Sequence, residues 1–173
     1  MILDSFVTGR RANIEHLEAH DRCSVIEFDI TSPLSHIWAS LGPFGQLSRG
    51  AGGAGNRDSF GAVLNLASPA SPSDFKTMPL EILDAGSLGN KRLLDLATES
   101  KARFLLASTS EVYGDPEVHP QAETYNGSVN VCGPRACYDE AKRFAEATTI
   151  AYERTHGTDV VIARIFNTYG ERM

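Results

Sequence analysis

Five short apolar runs, each closing on polar residues and most of them separated by helix-patterned stretches, constrain this chain more than any other feature. Ile2-Leu3-Asp4, Ser24-Val25-Ile26-Glu27-Phe28-Asp29, Ala62-Val63-Leu64-Asn65-Leu66-Ala67, Arg103 to Ala107 and Val160 to Phe166 read as strands. The run from Ala62 has the character of a strand buried on both faces of a parallel sheet. Between the runs, Arg11 to His20 places Ile14 and Leu17 on one helical face. Leu80 to Thr98 carries Leu83, Leu88, Leu93, Leu94, Leu96 and Ala97 at helical spacing. Pro134 suits the first turn of a further long helix, and Gly157 suits its end. Strands alternating with helices predict βαβ units, and so an α/β fold with a doubly wound parallel sheet. Such sheets bind ligands beyond the carboxyl ends of their strands. The polar residues fall there: Asp4, Asp29, Ser68, Ser108 to Glu111, and Asn167.

One stretch breaks the pattern. Seven of the chain's 15 glycines lie between Gly42 and Gly61, a composition unable to bury enough apolar surface to offset its ordering, so a flexible insertion is expected there. Gly50-Ala51-Gly52-Gly53-Ala54-Gly55 spells G-x-G-x-x-G. A dinucleotide fingerprint, however, needs a strand before it and a helix after it, so that helix amides meet the pyrophosphate. Pro43-Phe44-Gly45-Gln46 is a poor strand, and another strand follows, so the match is read as loop.

Composition then removes whole classes of function. The 173 residues hold 16 Lys+Arg against 22 Asp+Glu, a net charge of -6, which argues against gripping nucleic acid or an anionic membrane through bulk charge. No run approaches the roughly 20 apolar residues of a membrane span. Met1-Ile2-Leu3-Asp4 lacks a basic region leading into an apolar run, so no signal peptide is expected. Cys23, Cys132 and Cys137 are odd in number and match no paired metal spacing, which fits small buried hydrophobes in a reducing compartment. A cytoplasmic protein is the expectation.

Tyr138-Asp139-Glu140-Ala141-Lys142 sets a phenol and an ammonium at i and i+4, on one helix face. A phenol with pKa near 10 is a poor base at neutral pH, and an adjacent cation lowers it toward the working range. Ser108, Thr109 and Ser110 close the preceding strand, where hydroxyls can hold a substrate alcohol beside the phenol.

The motifs Ala107-Ser108-Thr109-Ser110-Glu111-Val112-Tyr113-Gly114-Asp115-Pro116, Gly133-Pro134-Arg135, Tyr138 to Arg143, and Arg164-Ile165-Phe166-Asn167-Thr168-Tyr169-Gly170 closely resemble the extended short-chain dehydrogenase/reductase superfamily. Within it they look most like the UDP-glucuronic acid decarboxylases. Leu66 to Pro72 and Asp4 to Arg10 fit the same family, and the likeness covers nearly all the chain outside the Gly-rich stretch.

The resemblance implies NAD-dependent conversion of UDP-glucuronic acid to UDP-xylose through a 4-keto intermediate. Tyr138 takes the proton of the sugar 4-hydroxyl, Lys142 tunes Tyr138 and bonds the nicotinamide ribose, and Thr109 meets the 4-oxygen. Ser110 and Glu111 stand near C5, and Ser110 replaces the Asp of related dehydratases. For the cofactor, the resemblance assigns Asp4, Phe6, Thr8, Gly9 and Arg10 to the adenosine side, with Asp29 and Ile30 at the adenine. A carboxylate at Asp4 favours NAD over NADP. Leu66, Ser68, Ala107 and Thr168 then line the nicotinamide half, with Tyr138 and Lys142. Tyr152 and Asn167 match substrate-contacting positions, helix packing being the plain alternative for Tyr152. A homodimer is implied as well.

The chain also departs from the family. The family starts with a strand and Gly-rich turn that seat the pyrophosphate, and it continues past Met173 into a smaller substrate domain. Ser5, Asn65 and Glu171 replace the usual Asn, His and Pro. The expectation is a partial NAD-binding Rossmann-like domain over residues 1–173, lacking the first strand with its Gly-rich turn and the C-terminal substrate domain, with the insertion at about 42–61. Two alternatives stay open: a non-catalytic fragment of such an enzyme, and another nucleotide-sugar epimerase or dehydratase.

Overall fold

The computed structural model describes residues 1–33, 35–36 and 60–170. The Gly-rich stretch therefore lies outside the described residues, apart from Phe60 and Gly61, and so does its G-x-G-x-x-G match.

All five expected strands form, and all pair in parallel. β1 (Ile2–Asp4) pairs with β2 (Val25–Glu27), Leu3 standing opposite Ile26. β3 (Ala62–Asn65), β4 (Arg103–Thr109) and β5 (Val160–Ile165) make a second sheet in the order β3-β4-β5. Register places Leu64, Leu105 and Val161 in one row, and Thr109 opposite Ile165 at the carboxyl end. The single sheet expected from the alternation is thus two sheets, and among the described residues no strand joins β1 to β3.

The helices follow the apolar pattern where they have something to pack on. Arg11 to His20 does not become one helix: it forms a 3-10 turn at Arg11–Asn13 and a single turn, α1 (Glu15–Glu18), with no buried residue in either. Without a buried face so short a helix cannot propagate. α2 (Asp74–Thr77) leads into α3 (Pro79–Asp84), which has Pro79 in its first turn. A π-turn at Ala85–Gly89 then passes into α4 (Asn90–Ser100). The π-turn lies where the backbone is crowded: a Cβ on Gly86 would stand 2.7 Å from the Ala141 Cβ, and one on Gly89 2.6 Å from Ile30. α5 (Ala136–His156) ends at Gly157 in the left-handed region, φ 67°. It begins two residues after Pro134, which belongs to the preceding turn and not to the helix.

The main core lies between one face of the three-stranded sheet and α4 and α5. It joins Val63, Phe104 and Leu106 to Leu93, Leu94, Leu96, Ala97 and Ala145. A second cluster, Phe75, Ile82, Tyr138 and Ala141, locks α2 and α3 against the start of α5. Buried Asn90 bonds Asn65 (2.9 Å) and the Ala145 carbonyl (3.2 Å), while Asn65 accepts from Ala67 N–H (3.2 Å). This satisfied polar seam fixes where β3 ends. The opposite sheet face leaves Leu64, Leu66, Val161 and Ile165 exposed. The three cysteines are free, with Cys132 exposed and the other two half-buried, so none is the fully buried hydrophobe expected.

Candidate active site

β4 runs to Thr109, two residues beyond the apolar stretch, and a 3-10 turn at Ser110–Tyr113 carries the chain off the sheet edge. Thr109 caps that turn, accepting from Glu111 N–H at 3.2 Å. α5 crosses this end so that Tyr138, in its first turn, lies beside the Thr109 hydroxyl. One turn on, Lys142 reaches the strand itself, donating from Nζ to the Ala107 carbonyl at 2.9 Å. Both side chains are buried. Strand end, turn and helix thus bring Ala107, Thr109, Ser110, Glu111, Tyr138 and Lys142 to one place, as the sequence predicts.

The electrostatics differ from the expectation. Burial raises the Tyr138 phenol above its ordinary 10, helped by the Glu111 and Asp139 carboxylates and opposed by the Thr109 hydrogen bond and the Arg135 charge. Lys142 is anchored to the strand beside it. Its Nζ is 5.9 Å from the phenol ring centre and aimed at the strand, and burial lowers its own pKa to about 8. A desolvated ammonium loses its proton more readily, yet with a pKa of about 8 it stays mostly charged at pH 7. The neighbouring Asp139 carboxyl is pushed up to about 6, chiefly by burial, and its Oδ1 has no partner among the described residues.

Two contacts at the site lie outside the set of residues expected from sequence. Phe75 stacks on Tyr138, with ring centres 4.9 Å apart and planes inclined by 17°, and Arg135 stands 5.7 Å over the Phe75 ring while pairing with Glu111. Arg135 was legible in principle, three residues before Tyr138 and so on the same face. Phe75, 63 residues away, carries no local signal. Behind the site, Glu146 accepts from Ser108 Oγ (2.6 Å) and from Arg164 (2.7 and 2.9 Å), whose guanidinium also bonds the Tyr113 hydroxyl at 2.8 Å. Its hydrogen bonds to Glu146 hold Arg164 firmly charged.

The remaining candidates fall into two groups. Asp4, Thr8, Gly9, Asp29, Ile30, Leu66 and Ser68 line one cavity of about 660 Å³ between the two sheets, within the roughly 300–1,000 Å³ usual for small-molecule sites. Asp4 Oδ1 accepts from Phe6 N–H at 2.8 Å, and Asp29 Oδ1 accepts from both Thr31 N–H and Oγ1 at 2.8 Å. Each carboxylate is therefore fixed by its own turn with its second oxygen left to receive a hydroxyl. A Cβ on Gly9 would stand 3.1 Å from the Asp4 oxygens, so only glycine lets the turn close over that carboxylate without displacing it. Phe6 and Arg10 sit outside this lining, as do Ala107, Tyr138 and Lys142. Asn167 and Thr168 lie exposed past β5, at the same sheet end as Thr109 but bonded to none of the group; Thr168 Oγ1 donates to Phe166 O. Tyr152 is not brought to the site. It lies 14 residues beyond Tyr138, about 21 Å along the helix, packed on the core with its hydroxyl 2.5 Å from Asp95. Helix packing accounts for it.

The fit of a dinucleotide to the cavity is uneven. The strand-end carboxylates suit ribose hydroxyls, and Leu66 and Ser68 offer an apolar wall with one hydroxyl for a nicotinamide. A pyrophosphate finds less: the described lining carries Asp4, Asp29, Glu81 and Asp84 and no Lys or Arg.

Residues 56–173 match the family described as GDP-mannose 4,6 dehydratase. The chain belongs to that family. Among relatives, UDP-glucuronic acid decarboxylase 1 of Xenopus tropicalis is 44% identical over 172 residues, spanning 99% of this chain and 36% of the relative. UDP-glucuronic acid decarboxylase 1 of Arabidopsis thaliana is 43% identical, spanning 100% and 35%. The dTDP-glucose 4,6-dehydratase of Streptomyces venezuelae, solved with NAD bound, superposes with a TM-score of 0.75 at 25% identity over 98% of this chain and 46% of its own. The UDP-N-acetylglucosamine 4-epimerase of Methanobrevibacter ruminantium gives 0.76 at 22%, over 99% and 48%, a likeness of fold. This family member spans little more than a third of the decarboxylases it matches and about half of the solved structures. Its Rossmann-like parallel sheets with flanking helices are the family's fold. No helix among the described residues is long and apolar enough to cross a membrane.

Proposed function

We propose that this chain carries the catalytic centre of an NAD-dependent UDP-glucuronic acid decarboxylase, forming UDP-xylose. The observation that carries the reading is the buried Tyr138 beside Thr109 at the carboxyl end of β4, with Lys142 bonded to the Ala107 carbonyl. Identity of 44% to decarboxylases across those motifs supports the substrate.

NAD, when bound, would supply hydride acceptance and return at the sugar C4; this chain handles the protons. The Tyr138 and Thr109 hydroxyls converge where a sugar 4-hydroxyl would be held, and Tyr138 Oη takes its proton as the ketone forms. That ketone is β to the C5 carboxylate, so the C5–carboxyl bond breaks, carbon dioxide leaves, and its electrons pass into an enolate on the 4-oxygen. Donors already aimed at that oxygen stabilise the enolate. Protonation at C5 and reduction at C4 complete a redox-neutral cycle. Ser110 and Glu111 stand beside that centre, with Glu111 neutralised by Arg135. Burial raises the phenol's pKa, so its role as a base would draw on the positive charges of Arg135 and Lys142 beside it. Asp4, Thr8, Gly9, Asp29, Ile30, Leu66 and Ser68 would hold the two nucleoside ends.

A second reading, the non-catalytic fragment, is favoured by the carboxylate-only charge of the described cavity lining. Incubating the chain with NAD and UDP-glucuronic acid separates the two. UDP-xylose and carbon dioxide, lost in Tyr138→Phe, support the enzyme. A UDP-4-keto sugar without carbon dioxide points to an epimerase or dehydratase, and a folded but inert chain to the fragment. Homodimerisation belongs to the same proposal, supported by Leu80, Leu88 and Phe144, exposed on segments that meet where Gly86 touches Ala141. So does a cytoplasmic setting, supported by three free cysteines.

A further inference from the structure

The chain holds seven asparagines, and only Asn126 is followed by glycine. The fold demands that glycine. Gly127 stands at φ 85°, and a Cβ there would lie 2.8 Å from both the Cα and the carbonyl oxygen of Tyr113, so no side chain fits. The same segment is pressed against the turn that carries Ser110 and Glu111. Ser128 N–H donates to Tyr113 O (2.8 Å), and Asp115 N–H donates to Ser128 O (2.9 Å). Packing thus puts after Asn126 the one residue type that leaves the next amide nitrogen unshielded.

Three further observations make that nitrogen a nucleophile toward the Asn126 side chain. Asn126 is exposed, and its carboxamide has no hydrogen-bond partner among the described residues, so it can rotate onto the chain. The Gly127 N–H has none among them either. The Asn126 main-chain carbonyl accepts from Arg143 Nη1 at 3.3 Å, and that nitrogen is held at 2.8 Å from Val112 O. This carbonyl and the Gly127 N–H belong to one peptide unit. A permanently charged guanidinium on its oxygen stabilises the anion left when the nitrogen loses its proton. Asn130, exposed in the same loop, lacks this arrangement: Val131 follows it, and its Oδ1 accepts from Cys132 N–H at 3.1 Å.

We propose that Asn126 is a self-modification site, at which the Gly127 nitrogen attacks the Asn126 carboxamide while Arg143 polarises the peptide between them, converting Asn126 to isoaspartate and aspartate. The bond from the Gly127 nitrogen to Asn126 Cγ forms, the Cγ–Nδ2 bond breaks, and the proton lost by Gly127 leaves with Nδ2 as ammonia. Water then opens the five-membered imide at one or the other of its carbonyls. The balance is asparagine plus water giving an acid plus ammonia, with no change of oxidation state. Isoaspartate lengthens the main chain by one methylene and adds a carboxylate beside Arg143, in the segment bonded to Tyr113 and Asp115. The inference does not depend on the proposed activity.

The test is peptide mapping by mass spectrometry of the 173-residue chain during incubation in mildly alkaline buffer, both folded and in urea, with electron-transfer fragmentation to tell isoaspartate from aspartate. Replacement of NH2 by OH is expected at Asn126 in the folded chain, with isoaspartate in excess and Asn130 unchanged. Arg143→Met should slow the folded conversion severalfold and leave the rate in urea unaltered; Arg143→Gln serves the same purpose where Arg143→Met does not fold. Hydrogen exchange at the Ser128 and Asp115 amides should quicken in the converted fraction. A folded chain that stays unmodified, whether or not the chain in urea converts, overturns the proposal. So does aspartate without isoaspartate, conversion of Asn130 as fast as that of Asn126, or an undiminished rate in the folded Arg143 variant.

Discussion

Lys142 offers the sharpest test of the electrostatic reading, because its burial makes opposite demands on stability and on the site. Its side chain is 93% removed from solvent, its pKa falls from 10.5 to about 8, and desolvation is the cause. That drop corresponds to about 3 kcal/mol by which the folded chain disfavours the charged form, at about 1.36 kcal/mol per pKa unit. Lys142→Met keeps the stem's packing and removes the charge, but leaves the Ala107 carbonyl without its donor, at a cost of about 1 kcal/mol. The variant should therefore be more stable than the parent by about 2 kcal/mol at pH 7. The sign of the pH dependence follows from proton binding. Between pH 8 and 10.5 the unfolded lysine holds a proton that the folded one has lost, so the parent gains stability as pH rises. The advantage of the variant should shrink by about 1.4 kcal/mol per pH unit in that window and be near zero at about pH 10. Urea denaturation of both chains at pH 7, 8, 9 and 10 measures it. A stability difference that stays constant with pH, or a variant less stable at pH 7, would refute the claim that the ammonium is stored at a cost.

Two further outcomes follow from the same packing. Asp139→Asn should stabilise the chain at pH 7, because burial holds the folded carboxyl near 6, above its ordinary 3.8. The gain should fade below pH 6 and vanish near pH 3.5, where both states of the parent are protonated, and urea midpoints across that range check it. Gly86→Ala should destabilise by about 1–2 kcal/mol despite alanine's better helix propensity, since the new methyl would press on the Ala141 Cβ and carbonyl at 2.7 Å. An unchanged or higher midpoint would show that α3 and α5 separate without loss.

What was legible in the sequence and what was not divide along one physical line. β1, β3 and β4 began where the apolar runs began, but β3, read as buried on both faces, buries only Val63 and Asn65 and leaves Leu64 exposed. Gly157 marked the end of α5 because a left-handed residue there suits glycine. Arg11 to His20 misled because a short amphipathic pattern gives only an opportunity to pack, and neither of the turns it forms has a buried residue. Spacing correctly put Tyr138 and Lys142 on one face, which lies against the carboxyl end of β4. It could not say where Nζ would point, because a four-carbon stem reaches either the phenol or the strand, and the choice is made by a carbonyl 35 residues away. Phe75 illustrates the same limit more strongly. It stacks on Tyr138, whose burial raises the phenol's pKa, yet the contact arises from α2 meeting α5 and has no counterpart in any local pattern. A sequence motif therefore names the groups that carry out the chemistry, whereas the protonation state in which they wait is set by long-range packing.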